Sequence, residues 1–90
     1  MSFARMRFAL SDPTRYRILE MLKKKEMTAG EIGRHFGITA PSLSHHLAIL
    51  KQTDLISSRR DGQEIIYALN LTVFEELAAS MINFFTIKKK

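Results

Sequence analysis

The chain has 90 residues, no cysteine, 14 Lys and Arg against 9 Asp and Glu, and a formal net charge of +5. One small domain, residues 1–90, is expected at that length, and without cysteine no disulfide, thiolate zinc site or thiol switch can form. The apolar fraction of 46% suits a folded soluble protein, while the basic excess favours polyanions such as DNA.

No apolar run reaches the roughly 20 residues that span a bilayer, so no membrane insertion is expected. Arg5 and Arg7 interrupt the apolar N-terminus. No signal peptide is therefore expected, and a cytoplasmic location is the expectation.

Residues 2–10 pattern as a helix with Phe3, Met6 and Leu10 on one stripe. "SDPTR" breaks and restarts the chain, with Asp12 as an N-cap and Pro13 in the first helical turn. The next helix should run to about Lys24 with Ile18, Leu19 and Leu22 facing inward. Lys23, Lys24 and Lys25 suit the negative end of its dipole, which is reason enough for them. Thr28 and Glu31 have capping-box spacing, and Ile32 and Phe36 lie four apart on the helix that follows. Gly37 is expected to close that helix in the left-handed conformation, and Thr39 to cap the next. Two helices joined by a short turn make a helix-turn-helix.

"LISSRR" and "QEIIYAL" then read as two strands turning on Asp61-Gly62, with Ile65, Tyr67 and Leu69 alternating toward the core. Thr72 and Glu75 have the spacing of a second capping box, opening a last helix to about Ile87. The expected fold is mainly α with a β-hairpin wing: a winged helix-turn-helix of order α-α-α-α-β-β-α.

Within "TAPSLSHHLAIL" a rotation of 100° per residue gathers Leu43, Leu47 and Leu50 on the buried side. Pro41, His45 and Ala48 point the other way, flanked by Ser42 and Ser44. The adjacent histidines do not face one another, whereas helical metal pairs favour a spacing of three or four. His35 has only Glu31 at such a spacing, and Glu31 is better used as a cap. No metal site is expected. His46 should pack partly buried and His45 should face out.

The second helix of a helix-turn-helix lies in the major groove, with its N-terminal residues at the base edges. The DNA-binding candidates are therefore Thr39, Ala40, Pro41, Ser42, Ser44 and His45, with Lys51 further along the helix. Arg59 and Arg60 before the hairpin turn, and Gln63 after it, can meet phosphates or the minor groove. A cross-strand pair between Arg59 and Glu64 is the alternative for that arginine.

The last helix carries more apolar surface than one buried stripe needs, and the first helix has a similar excess. Both are expected to form a dimer contact through Phe3, Met6, Leu10, Phe74, Leu77, Met81 and Phe85. Lys88 to Lys90 read as a solvated tail. No nucleophile–base–acid set, phosphate loop or metal centre is visible, so neither catalysis nor a cofactor is expected. No aromatic platform for stacking RNA bases is evident.

"SDPTRYRILEML", "MTAGEIGRHFGITAPSLSHHLAILKQTDLI" and "RRDGQEIIYAL" resemble the ArsR-type winged-helix repressors. The resemblance runs from about Phe8 to Leu69, with the last helix matching in position. Its most specific part is "LSHHLAILK" followed by R-x-G and a tyrosine-bearing strand. "MTAG" before "SLSHHL" and "LNLTVFEE" after the wing look most similar to the Sdp-type autorepressor branch.

The resemblance implies a homodimeric bacterial repressor that releases double-stranded operator DNA when an effector acts. Many members sense metals, through cysteines that would fall here on Thr28 and Gly30. An alternative metal site on the last helix would need Asp, His or Glu where this chain has Leu71, Val73, Phe84 and Ile87. The implied function is a repressor on an inverted-repeat operator, autoregulatory and not metal-responsive, with a protein effector relieving repression. Two other readings stay open: a winged-helix module that binds protein, and a metal-responsive repressor using a non-standard site.

Overall fold

The computed structural model describes residues 3–87, so Lys88 to Lys90 lie outside the described residues. In chain order the elements are α1 (Phe3–Leu10), α2 (Pro13–Lys24), β1 (Met27–Thr28), α3 (Ala29–Gly33), α4 (Ala40–Gln52), β2 (Ile56–Asp61), β3 (Glu64–Leu69) and α5 (Leu71–Ile87). The strands form one antiparallel sheet of order β1-β3-β2. The expected winged helix-turn-helix is present, with β1 added.

β1 pairs Met27 with Tyr67 and Thr28 with Ile66. Two residues carry no readable periodicity, and their partners lie far along the chain. Asp12 caps α2 by accepting from the Arg15 amide at 3.0 Å, and Pro13 opens the helix. Thr28 and Glu31 form the reciprocal box that starts α3, with bonds of 3.2 and 3.0 Å.

The core gathers Met6, Ala9, Ile18, Leu19, Leu22, Met27, Ile32, Leu43, Leu47, Leu50, Leu55, Ile56 and Val73. Every element except β3 contributes a buried side chain, and β3 lays Tyr67 and Leu69 half-buried against them. Burying one such aliphatic chain contributes about 1.5–3 kcal/mol. All buried side-chain nitrogens and oxygens among the described residues have a hydrogen-bond partner.

Several expectations need correction. α3 ends at Gly33, and the chain continues to Phe36 through tight turns, His35 N to Ile32 O and Phe36 N to Gly33 O, each at 3.1 Å. Gly37 is not left-handed; Gly62 is the glycine with positive φ. What the helix-turn-helix needs instead is Gly33. A Cβ there would stand 3.2 Å from a Leu43 methyl, so its missing side chain lets α3 approach α4.

The hairpin turn falls one residue later than expected. Asp61 pairs with Glu64, leaving Gly62 and Gln63 as the turn. Only Gly62 has positive φ, at 65°, the pattern of a II′ turn with glycine first. Ile65 is 40% exposed near the wing tip and does not anchor the wing; Tyr67 and Leu69 do. α5 starts before Thr72: the Asn70 carbonyl accepts from Val73 and Phe74, while the Asn70 amide is held by Leu55 O. Asn70 therefore sets the helix start and leaves Thr72 inside the first turn.

Candidate nucleic-acid interface

α4 is fixed to the core by Leu43, Leu47 and Leu50, all buried. That orientation turns Pro41, Ser44, His45, Ala48, Lys51 and Gln52 outward, and all six are exposed. At 100° per residue Pro41, His45, Ala48 and Gln52 form a single stripe, with Ser44 and Lys51 along one flank. Gln52 was not among the sequence candidates, although it lies seven residues after His45 and its amide suits adenine pairing. Ser42 is half-buried on the other flank.

The N-terminus of α4 has few donors left. Thr39 Oγ1 accepts from the Ser42 amide at 3.2 Å, the Thr39 carbonyl accepts from the Leu43 amide at 3.0 Å, and Pro41 has no N–H. Ala40 keeps the remaining first-turn amide, and the Thr39 hydroxyl still has its proton to donate. A phosphate approaching this end would find its donors on these two exposed residues.

His46 takes the packing position expected of it. Its side chain is 15% exposed, with Nδ1 3.2 Å from an Arg15 nitrogen and 3.8 Å from Asp12 Oδ2. Arg15 was missed in the sequence. It is 5% exposed, and it donates to the carbonyls of Ala9 and Phe8 at 2.9 Å each. No short-range pattern marks it, because its acceptors come from two other helices. The backbone bond from Arg15 holds the Asp12 carboxyl below its ordinary value, helped by the positive charge nearby. The Thr28 amide and hydroxyl do the same for Glu31.

On the wing, Arg59, Arg60 and Gln63 are all exposed. The register sets Arg59 opposite Ile66, so the alternative pair with Glu64 does not form. Arg59 instead reaches across the sheet to Glu26, with Nη2 2.7 Å from Oε1. Glu26, just before β1, was also missed, because its partner lies 33 positions on.

The dimer candidates divide. Met6 is only 4% exposed, so its side chain is spent inside the subunit and is not available to a partner. Leu10, Phe74 and Leu77 pack half-buried on the core. Met81 and Phe85 are 60% and 59% exposed, and every residue from Ala78 to Thr86 is exposed. Phe8, part of the apolar excess that the sequence shows on α1, is also exposed. The Phe3 side chain lies outside what the structure describes.

The metal positions implied by resemblance do not fit an ion. The Thr28 hydroxyl caps α3, Gly30 has no side chain, and Leu71, Val73 and Phe84 offer no donor. Among the described residues no group of three or more His, Asp or Glu could hold a metal.

A docked recognition helix beside a cationic hairpin defines a winged helix-turn-helix DNA-binding protein. The chain belongs to the arsR family of bacterial regulatory proteins, whose model matches residues 12–58. It is 55% identical to the transcriptional repressor SdpR of Bacillus subtilis over 76 residues, 84% of each chain. Identity to the arsenical resistance operon repressor of Staphylococcus aureus is 33%, over 80% of this chain and 69% of that one. The crystal structure of an ArsR family transcriptional regulator shares the fold, with TM-score 0.87 and 23% identity over 97% of this chain and 96% of that chain. The protein is thus a DNA-binding transcriptional repressor of this family.

Proposed function

We propose that the protein acts in the cytoplasm as a homodimer on an inverted-repeat operator, that its own promoter is among its targets, and that no metal controls it. The observation that carries the DNA reading is the outward stripe Pro41–His45–Ala48–Gln52 on a helix whose opposite side is locked into the core. Thr39, Ala40, Pro41, Ser42, Ser44 and His45 meet the bases and the adjoining phosphates. Lys51, Arg59, Arg60 and Gln63 hold the backbone and the minor groove. Phosphate contacts set affinity and salt dependence, while base contacts set the sequence.

The exposed apolar face of α5 supports dimerisation, with Met81 and Phe85 meeting a second copy and Leu10, Phe74 and Leu77 backing that contact. The donor-poor family metal positions support release by something other than a metal. A groove beside α2 supports a protein effector in that role: Tyr16, Met21, Leu69 and Leu71 offer it apolar surface, and Arg17, Lys23 and Lys24 add cations.

Capture of bound genomic fragments tests the proposal. The promoter of the protein's own gene should be recovered, with an inverted repeat protected at its centre. Zinc, cobalt or nickel should leave that binding unchanged. Recovery of unrelated fragments without a repeat would refute the operator reading, and metal-dependent release would refute the inducer reading.

A further inference from the structure

One buried guanidinium connects the helix proposed to meet a second subunit with the helix proposed to read bases. Arg15 lies in the first turn of α2, but its side chain serves other elements. Nε and one terminal nitrogen donate to Ala9 O and Phe8 O, at 2.9 Å each, where α1 ends; Phe8 O also accepts from the Ser11 amide at 3.3 Å and the Ser11 hydroxyl at 2.7 Å. The other terminal nitrogen meets His46 Nδ1 on α4 at 3.2 Å. Arginine only donates, so His46 Nδ1 accepts, which places the ring proton of the neutral imidazole on Nε2. The guanidinium carbon also stands 4.9 Å above the exposed Phe8 ring, within cation–π range.

We propose that Arg15 is a positioning residue that transmits the arrangement of α1 at the subunit contact to the base-reading helix α4 through His46. The inference rests on the homodimer reading above. Its physical basis is the rigid, planar fork of the guanidinium, which holds three acceptors from two helices in one geometry. A partner subunit pressing on Phe8 bears on that fork. The fork then fixes the side of α4 from which His45, the next residue, faces outward. In a dimer the two recognition helices must keep a set separation, and this link ties that separation to the α1 contact.

The test uses three duplexes: the inverted repeat selected by the wild-type protein, the same repeat with one base pair inserted between half-sites, and a random sequence. One inserted pair rotates a half-site by about 35°, so a rigid dimer should bind it more weakly. His46→Leu, which removes the acceptor, should lower repeat affinity about tenfold, comparable to one lost base contact. It should also shrink the insertion penalty, leaving random-duplex affinity and dimerisation unchanged. His46→Gln, whose amide oxygen can accept from Arg15, should restore both affinity and penalty. Arg15→Lys, with one ammonium for three acceptors, should resemble His46→Leu. If it fails to fold, the two His46 variants still decide.

A His46→Leu protein with wild-type repeat affinity and insertion penalty would overturn the coupling. So would a His46→Gln protein as impaired as His46→Leu. A wild-type protein that binds the repeat with no insertion penalty would instead refute the rigid-dimer reading, and the coupling with it.

Discussion

Arg59 and Glu26 are joined across the sheet at 2.7 Å, whereas Arg60 shows no side-chain partner among the described residues. The two adjacent wing arginines thus begin from different states. Arg59 must leave a carboxylate to meet a phosphate, and Arg60 need not. Exposed ion pairs contribute only about 0–1 kcal/mol, so the difference should be small but measurable. Arg60→Ala should weaken DNA binding more than Arg59→Ala. Glu26→Gln should strengthen it by about two- to fivefold at low salt, the release of up to ~1 kcal/mol. Titrations of the three variants against one random duplex check this, and a larger loss for Arg59→Ala would contradict it.

Asp54 has φ of 61° where α4 turns into the wing. The Leu55 amide returns to Leu50 O at 3.1 Å and the Asp54 amide to Lys51 O at 3.0 Å, which is the Schellman pattern. Leu50 and Leu55, both fully buried, supply its apolar contact. A left-handed residue with a Cβ costs about 1–2 kcal/mol, and glycine escapes that at an entropic cost of about 0.5–1 kcal/mol. Asp54→Gly should therefore stabilise the fold by up to ~1 kcal/mol, raising the melting temperature by about 4–8 °C. A lower melting temperature would mean that the Asp54 side chain stabilises the turn in some other way.

The readable parts of this molecule are those whose causes are local. Leu43, Leu47 and Leu50 repeat at helical spacing, and Asp12, Thr28 and Thr39 cap the amides three residues on, so three helix starts and the buried side of α4 were legible. The apolar excess of α5 was visible too, because too many of its residues are apolar for one buried stripe. The illegible parts have distant causes. Arg15 acquires its role from Ala9, Phe8 and His46, and Glu26 acquires its role from Arg59. β1 exists because Tyr67 and Ile66 pair with it. The shift of the hairpin turn turned on a choice between two dipeptides, Asp61-Gly62 and Gly62-Gln63, both compatible with a tight turn. Of the candidate interface, exposure on α4 could be read from period alone, but not which cations were already engaged.

Met81 is exposed on the half of α5 that leaves the core. Met81→Lys should therefore spare the monomer fold and bring an unpaired charge to the proposed subunit contact, which is strongly unfavourable. Sedimentation should show a folded monomer with helical content retained. An intact dimer would place the contact elsewhere.

Two carboxyls are held below their ordinary values of 3.8 and 4.5: Asp12 by the Arg15 amide, and Glu31 by the Thr28 amide and hydroxyl. A group whose folded pKa is depressed adds stability above its unfolded value and loses it as pH falls through the folded one. These two contributions should be complete at neutral pH and fade as acid takes the solution below those ordinary values. Asp12→Asn with Glu31→Gln keeps both capping geometries but removes both titrations. Denaturant midpoints from neutral pH into acid should fall less for the double variant than for the wild type. Parallel curves would show that other groups control acid stability.

The most direct measurement is a titration of four proteins against operator and random duplexes at several salt concentrations. These are the wild type, Ser44→Ala, His45→Ala and the Arg59→Ala/Arg60→Ala pair. The α4 variants should lose preference for the operator, up to about 1–3 kcal/mol for a full base contact and less for a single serine bond, with the salt slope unchanged. The wing pair should weaken binding to both duplexes alike and flatten the salt slope by about one unit per lost phosphate contact. If the α4 variants weaken both duplexes equally, or the wing pair changes neither affinity nor slope, then base reading by α4 and backbone holding by the wing are wrongly assigned.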